Sequence, residues 1–119
     1  MNENKSIIGK KSFAFALKII DIFKKMYNQK EYVLSKQLLR SGTSIGANTE
    51  EASAAQSKKD FINKMSIASK EAREAKYWLR LIQESNIVDI DVKDILKEID
   101  EIIKILTSIV KTTKENLKK

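Results

Sequence analysis

The chain has 119 residues, contains no Pro and only three Gly, and is 42% apolar and 33% charged, which suits one helix-rich domain with a modest core. It has neither Cys nor His, which excludes disulfides, iron–sulfur clusters, thiol nucleophiles, His-based acid–base catalysis and most zinc or di-iron sites. The formal net charge of +7 favours a polyanionic partner such as nucleic acid, although a soluble surface with surplus lysine gives the same charge.

The excess positive charge is unevenly distributed. Residues 1–30 contain seven lysines and two acidic residues, and residues 57–85 contain seven basic and four acidic residues. No stretch approaches the roughly 20 apolar residues of a membrane span, and no apolar run follows the N-terminal lysines as it would in a signal peptide. We therefore expect a cytoplasmic protein that makes no membrane contact.

The first predicted helix, residues 11–29, has two apolar faces. One face consists of Phe13, Leu17, Ile20, Phe23 and Tyr27, and the other of Phe15, Ile19, Ile22 and Met26. A helix this broadly apolar must be covered on two sides, and a lone four-helix bundle covers only one stripe well. The second face therefore indicates self-association.

The second predicted helix, residues 32–56, contains Gly42 and Gly46 in its interior. Gly at such a position costs about 1 kcal/mol relative to Ala, so two of them indicate that a neighbouring backbone needs the space. A Gly-rich phosphate-binding loop is the alternative. It is weakly supported, because no Gly-Lys-Ser/Thr motif is present and no strand pattern precedes the segment.

The same helix carries a stripe of polar side chains at helical spacing. Its members are Gln37, Arg40, Ser44, Asn48 and Glu51. The stripe contains similar numbers of hydrogen-bond donors and acceptors, so its side chains can bond to one another across a helix–helix contact. We favour this structural or assembly role. The alternative is that Gln37, Arg40 and Asn48 face a nucleic-acid backbone or base edge.

The third predicted helix, residues 58–85, is preceded by Ser57, a typical N-cap, and Asn86 is a plausible stop. Its apolar seam is Phe61, Met65, Ala68, Ala72, Ala75, Leu79 and Ile82. Its basic residues include Arg73, Lys76 and Arg80 on one face near Tyr77, with Lys58 and Lys59 at the start of the helix. Cations beside an aromatic ring suit phosphate contact and stacking. The alternative is a solvated face whose cations pair with the nearby glutamates.

The fourth predicted helix, residues 90–116, opens with acidic residues and ends with lysines, which matches the helix dipole. Its seam is Val92, Ile95, Ile99, Ile102, Leu106 and Ile109. No strand alternation of useful length occurs, and short connections join long helices. The sequence thus predicts an all-α, antiparallel, up-down-up-down four-helix bundle that forms a single domain over residues 1–119.

Carboxylates offer one remaining route to catalysis. Glu50, Glu51, Glu71 and Glu74 could in principle bind a metal, which would make the protein a metal-dependent enzyme. Glu71 and Glu74 share a helix face near Lys70 and Arg73, so salt bridges within the helix are the favoured interpretation. We therefore expect no metal, no cofactor, no small-molecule substrate and no enzymatic activity.

Residues 37–51, QLLRSGTSIGANTEE, resemble the signature of the "four helix bundle protein" family, also called the 23S ribosomal RNA intervening-sequence protein family. The signature has the form Gln-x-x-Arg-x-x-x-Ser-Ile-x-x-Asn-x-x-Glu. Lys59-Asp60-Phe61 and the stretch from Glu71 to Leu79 resemble the third helix of that family. In this chain Leu39 stands where a second Arg is frequent, Gly46 where Pro is frequent, and Ala52 where Gly is frequent.

The resemblance implies a bacterial four-helix bundle that assembles into a homopentamer. It also implies distant kinship with basic, nucleic-acid-binding accessory subunits of reverse transcriptases, and it supplies no catalytic residue. We expect weak, sequence-independent RNA or DNA binding through basic faces displayed around the oligomer. The candidate contacts are Arg73, Lys76 and Arg80, with Lys58, Lys59 and Arg40 in support. A protein-interaction scaffold that binds no nucleic acid is the alternative function.

Overall fold

A computed structural model describes the backbone of residues 3–118 and the side chains from residue 7 onward. This part of the chain forms four α-helices and contains no strand: α1 (Glu3–Asn28), α2 (Leu34–Ser53), α3 (Lys58–Ser85) and α4 (Lys93–Lys118). The predicted all-α class is confirmed. α1 begins well before the predicted residue 11, because fully buried Ile8 extends its core face by a further turn. The single-domain prediction also covers residues 1, 2 and 119, which lie outside the described residues.

Neighbouring helices run antiparallel. As the residue number rises along one helix, the number of its contact on the neighbouring helix falls. The contacts are Arg40 with Glu71 and Glu51 with Lys64, Arg73 with Thr107 and Lys76 with Asp100, and Lys11 with Glu101 and Lys18 with Glu98; Ser12 near the start of α1 likewise meets Thr49 near the end of α2. α1 packs on α2 and α4, and α3 packs on the same two helices. This is the predicted up-down-up-down bundle, with its core along the central axis.

The seams predicted for α3 and α4 are buried at every position. On α1, the buried face is Phe15, Ile19, Ile22 and Met26, together with Ile8 and Ser12. The other face of α1 points outward: Phe13 is 64% exposed, Leu17 53% and Tyr27 49%. We call this stripe, with Ile20 and Phe23, the outer face of α1. Within the described chain, Tyr32 packs on one end of this face, with its ring centroid 4.7 Å from that of Tyr27. Phe23 is half-buried, whereas Phe13 and Leu17 stay more than half exposed.

Gly42 lies against α1 of the same chain. A Cβ atom at position 42 would be 2.9 Å from both Cγ1 and Cγ2 of Ile19, which is too close for any real contact. At Gly46 the nearest atom would be the carbonyl oxygen of Ser12 at 3.6 Å, an ordinary van der Waals distance. The prediction that both glycines are needed for a neighbouring backbone is wrong in detail, because only position 42 requires Gly and its neighbour is a side chain.

Residues just outside the helices define three of the helix ends, two through a side chain and one through its backbone conformation. The hydroxyl of Ser57 accepts a hydrogen bond from the backbone N–H of Asp60 at 3.0 Å, and Asn86 ends α3 in the left-handed conformation, both as predicted. Glu31 was not predicted to act as a cap. Its buried carboxylate accepts hydrogen bonds from the N–H groups of Val33, Leu34 and Ser35 and satisfies the start of α2.

Within residues 3–118, none of the helices combines the length and the apolar character needed to cross a membrane.

Candidate nucleic-acid interface

A groove of about 380 Å³ runs between α3 and α4. Its lining, which defines the α3–α4 groove, is Ser66, Ser69 and Arg73 from α3 and Thr107, Val110, Lys111 and Lys114 from α4. Three cations and three hydroxyls thus surround one half-buried apolar side chain. This composition suits an anionic ligand that also carries polar oxygen groups.

The helical period explains why these residues meet. Ser66, Ser69 and Arg73 are spaced by three and four residues and lie on one face of α3. On α4, Thr107, Lys111 and Lys114 are spaced by four and three. Because α3 and α4 are antiparallel neighbours, the two faces oppose each other along the groove.

Arg73 spans the groove through a neutral partner. Its Nη2 donates a hydrogen bond to Oγ1 of Thr107 at 3.2 Å, and that hydroxyl donates in turn to the carbonyl oxygen of Ile103 at 2.7 Å. A hydroxyl orients the guanidinium without cancelling its charge. Among the described residues, Arg73, Lys111 and Lys114 make no ion pair, so the groove keeps three uncompensated positive charges.

The other residues predicted to contact nucleic acid differ in whether an acidic side chain pairs with them. Lys76 forms a half-exposed ion pair with Asp100 at 2.7 Å, whereas Arg80 is exposed and makes no ion pair within residues 7–118. Lys58 and Lys59 are exposed at the start of α3, the end of the bundle at which α4 finishes with Lys114 and Lys118. These lysines therefore extend the positive surface beyond one mouth of the α3–α4 groove.

Arg40 is engaged elsewhere. Its guanidinium is 2.9 Å from the carboxylate of Glu71 and also hydrogen-bonds to the carboxylate of Glu74. The hydrogen bond to Glu74 is the main reason that the pKa of Arg40 is raised, against an opposing effect of burial. Two carboxylates neutralise this arginine, so it adds no positive potential for a polyanion. The predicted salt bridges within α3 are wrong, because Glu71 and Glu74 pair with Arg40 across the α2–α3 contact.

The rest of the polar stripe on α2 serves the same helix contact. Glu51 forms an ion pair with Lys64 on α3, with 3.0 Å between the ammonium nitrogen and the carboxylate oxygen. Within α2, Ser44 donates to the carbonyl oxygen of Arg40 at 2.6 Å and Asn48 donates to that of Ser44 at 2.8 Å. Gln37 is exposed on the same stripe. The structural interpretation of this stripe is therefore supported at Arg40 and Glu51, which connect α2 to α3.

A second groove, of about 260 Å³ between α1 and α4, has a different electrostatic character. Its lining includes Lys10, Lys11, Glu98 and Glu101, and Lys11 forms an ion pair with Glu101 at 3.0 Å. Acids and bases balance there, which gives an anion no net attraction. The two grooves differ in charge although both lie beside α4.

No cluster of three or more acidic, His or Cys side chains in the described part of the chain is placed to hold a metal ion. Of the four glutamates considered above as metal ligands, three are engaged by cations, Glu71 and Glu74 by Arg40 and Glu51 by Lys64, and Glu50 is exposed.

Sequence reasoning missed the contribution of α4 to this site. The lysines at positions 111 and 114 had an adequate explanation in the dipole of their own helix. Their spacing of three residues was the available signal, since it places both on one face. That face could be assigned to Arg73 only once the register between α3 and α4 was known.

Comparison with known proteins identifies a family and solved structures of similar fold. Residues 4–108 match the family described as 23S rRNA-intervening sequence protein. A crystal structure at 1.70 Å resolution of a protein of unknown function, from the S23 ribosomal protein family of Bacteroides thetaiotaomicron, is 48% identical in sequence to this chain. The alignment covers 91% of this chain and 98% of that one, with a TM-score of 0.86. No curated protein matches the chain.

Proposed function

The chain belongs to the 23S rRNA-intervening sequence protein family, and on that premise we propose that it is a non-enzymatic homo-oligomer that binds nucleic acid weakly and without sequence preference. The α3–α4 groove is the proposed contact surface. The cytoplasm, where bacterial RNA is found, is the proposed place of action.

The observation that carries this proposal is the set of three unpaired cations in one groove. Arg73, Lys111 and Lys114 face each other across α3 and α4, and no carboxylate among the described residues pairs with them. Cations that meet phosphates release counterions, which gives affinity that depends on salt and hardly on sequence.

The outer face of α1 supports the proposed self-association. Phe13 and Leu17 are more than half exposed, and Tyr27 is nearly so, on a helix whose opposite face is already buried. A contiguous apolar stripe of this kind is typical of an interface between subunits. The resemblance to the family suggests five copies. A ring of five would present five α3–α4 grooves and so gain avidity from weak single contacts.

Labelled single-stranded RNA, titrated in fluorescence anisotropy at about 50 mM and about 200 mM salt, tests the proposal. Neutralising three phosphates per groove predicts a loss of about 20-fold in affinity between these conditions, and more if several grooves bind one strand. The variant Arg73→Ala/Lys111→Ala/Lys114→Ala should lose this binding. The oligomeric mass is measured by light scattering in the same buffer, so that lost binding is not confused with lost assembly.

A protein-interaction scaffold is the second candidate, and the observation in its favour is the pair of apolar side chains exposed away from the outer face of α1, Tyr77 and Ile87, each 53% exposed. Apolar burial would drive binding of a protein there, so that binding would resist salt. An intact oligomer that binds no RNA even at low salt would move the scaffold to first place.

A further inference from the structure

The hydroxyls of Ser66 and Ser69 line the α3–α4 groove but make no hydrogen bond to the described residues. Serine and threonine inside helices usually donate to the carbonyl oxygen three or four residues earlier. Ser41, Ser44 and Thr107 do so in this chain. Ser66 and Ser69 therefore retain both donor and acceptor capacity at the positions where they border the groove.

The groove is larger than a phosphate group requires. Its volume of about 380 Å³ falls in the range of small-molecule sites, roughly 300–1,000 Å³, so there is room for a sugar beside its phosphate. Val110 provides an apolar contact within it. Cations, hydroxyls and one apolar side chain together match the three chemical parts of a nucleotide backbone unit.

We propose that the α3–α4 groove seats one nucleotide of a single-stranded RNA, with its phosphate against Arg73, its 2′-hydroxyl against Ser66 and Ser69, and the flanking phosphates of the strand against Lys111 and Lys114. The 2′-hydroxyl is a donor and an acceptor, as a serine hydroxyl is, and it is the group by which a protein distinguishes RNA from DNA. This inference rests on the proposed nucleic-acid binding and adds a preference for ribose. The groove cations bind either polymer, whereas the two serines discriminate between them.

The test compares RNA and DNA oligonucleotides of one sequence with the full chain at low salt. The unaltered protein should bind the RNA about three- to tenfold more tightly, the effect of one to two hydrogen bonds. Ser66→Ala/Ser69→Ala should lower RNA affinity to the DNA value and leave DNA affinity unchanged. Alanine favours helix, so this variant keeps its fold, which circular dichroism verifies. Ser53→Ala, an exposed hydroxyl on α2, is the control and should keep the preference.

Three outcomes would overturn the inference, and they are distinguishable. Salt-sensitive binding of RNA and DNA with equal affinity, or an RNA preference that survives in Ser66→Ala/Ser69→Ala, rejects the ribose site and leaves the proposed function standing. Binding of neither polymer by the intact oligomer at low salt rejects both.

Discussion

Arg73 on α3 and Thr107 on α4 are joined by a hydrogen bond of 3.2 Å that spans the α3–α4 groove. Arg40, by contrast, is held between the carboxylates of Glu71 and Glu74. Both arginines are fixed by a neighbouring helix, but only Arg73 has a neutral partner. The hydrogen bond to Thr107 leaves the positive charge of Arg73 exposed to solvent. The two carboxylates neutralise the charge of Arg40 and join α2 to α3.

Gly42→Ala and Gly46→Ala should have opposite effects on stability. A methyl group at position 42 would come within 2.9 Å of the branched carbons of Ile19, so we expect a loss of about 1–3 kcal/mol in the free energy of unfolding. At position 46 the new methyl group meets only ordinary contacts, and the higher helix propensity of Ala should add up to about 1 kcal/mol. Urea denaturation measures both. Equal effects of the two substitutions would contradict the packing described for Gly42.

Arg40→Ala should lower the free energy of unfolding by about 1 kcal/mol, the upper end for an exposed ion pair, because two carboxylates lose their partner. Arg40→Lys should recover only part of this loss, since one ammonium cannot match the guanidinium fork. Arg80→Ala removes the same charge from an exposed position that makes no ion pair with the described residues, and it serves as the control.

The pH dependence of the contribution of Arg40 to stability follows from the direction in which its pKa is shifted. Folding raises this pKa, so the stabilisation is complete below the unfolded pKa and is lost only in strongly alkaline solution. The difference in stability between the Arg40→Ala variant and the unaltered protein should therefore stay constant across the neutral range. A difference that changed between mildly acidic and mildly alkaline pH would show that another group titrates with Arg40.

Glu31→Ala should destabilise α2 by about 1–2 kcal/mol. The carboxylate of Glu31 accepts hydrogen bonds from three N–H groups, the shortest being 2.7 Å from Ser35, and Ala leaves those groups without a partner. Glu50→Ala, at an exposed position of α2 with no ion pair in the described chain, is the control. Thermal unfolding of both variants, followed by circular dichroism, measures the difference. If Glu31→Ala unfolded at the same temperature as the control, the cap would not contribute.

Leu17→Glu should convert the proposed oligomer to a monomer. Leu17 is 53% exposed at the middle of the outer face of α1, and a charge there would be buried unpaired in any interface that covers this face. Ile87, equally exposed but between α3 and α4, provides the control variant Ile87→Glu. Light scattering gives the mass of each. A monomeric parent protein, or an oligomer that survives Leu17→Glu, would rule out the outer face of α1 as the interface.

The helices and the core were predictable because they depend on local periodicity. The seams from Phe61 to Ile82 and from Val92 to Ile109 repeat at helical spacing and are buried throughout. Ser57 and Asn86 could be assigned as caps because capping is a property of single residues close to a helix end. The choice between the two apolar faces of α1 was not predictable, since both have the same period and only packing selects one.

Contacts between helices depend on register, which periodicity does not encode. Glu71 and Glu74 are near Lys70 and Arg73 in sequence, yet they bind Arg40 because α2 approaches that side of α3. The α3–α4 groove was missed for the same reason, as its lining comes from two segments that are distant in sequence. The spacing of three and four residues that places the lining on one face of α3 and one face of α4 was visible in the sequence, but it did not show that the two faces oppose each other.

The salt dependence of RNA binding tests most directly whether the α3–α4 groove is the contact surface. The decisive comparison is between Lys111→Ala/Lys114→Ala and Lys25→Ala/Lys36→Ala, which remove the same charge from the groove and from exposed positions of α1 and α2. For each variant, the slope of log affinity against log salt concentration is measured. We expect the groove variant to lose roughly 1.4 from the slope per bound groove and the control variant to keep the parent slope. Equal slopes for the two variants would contradict binding in the groove.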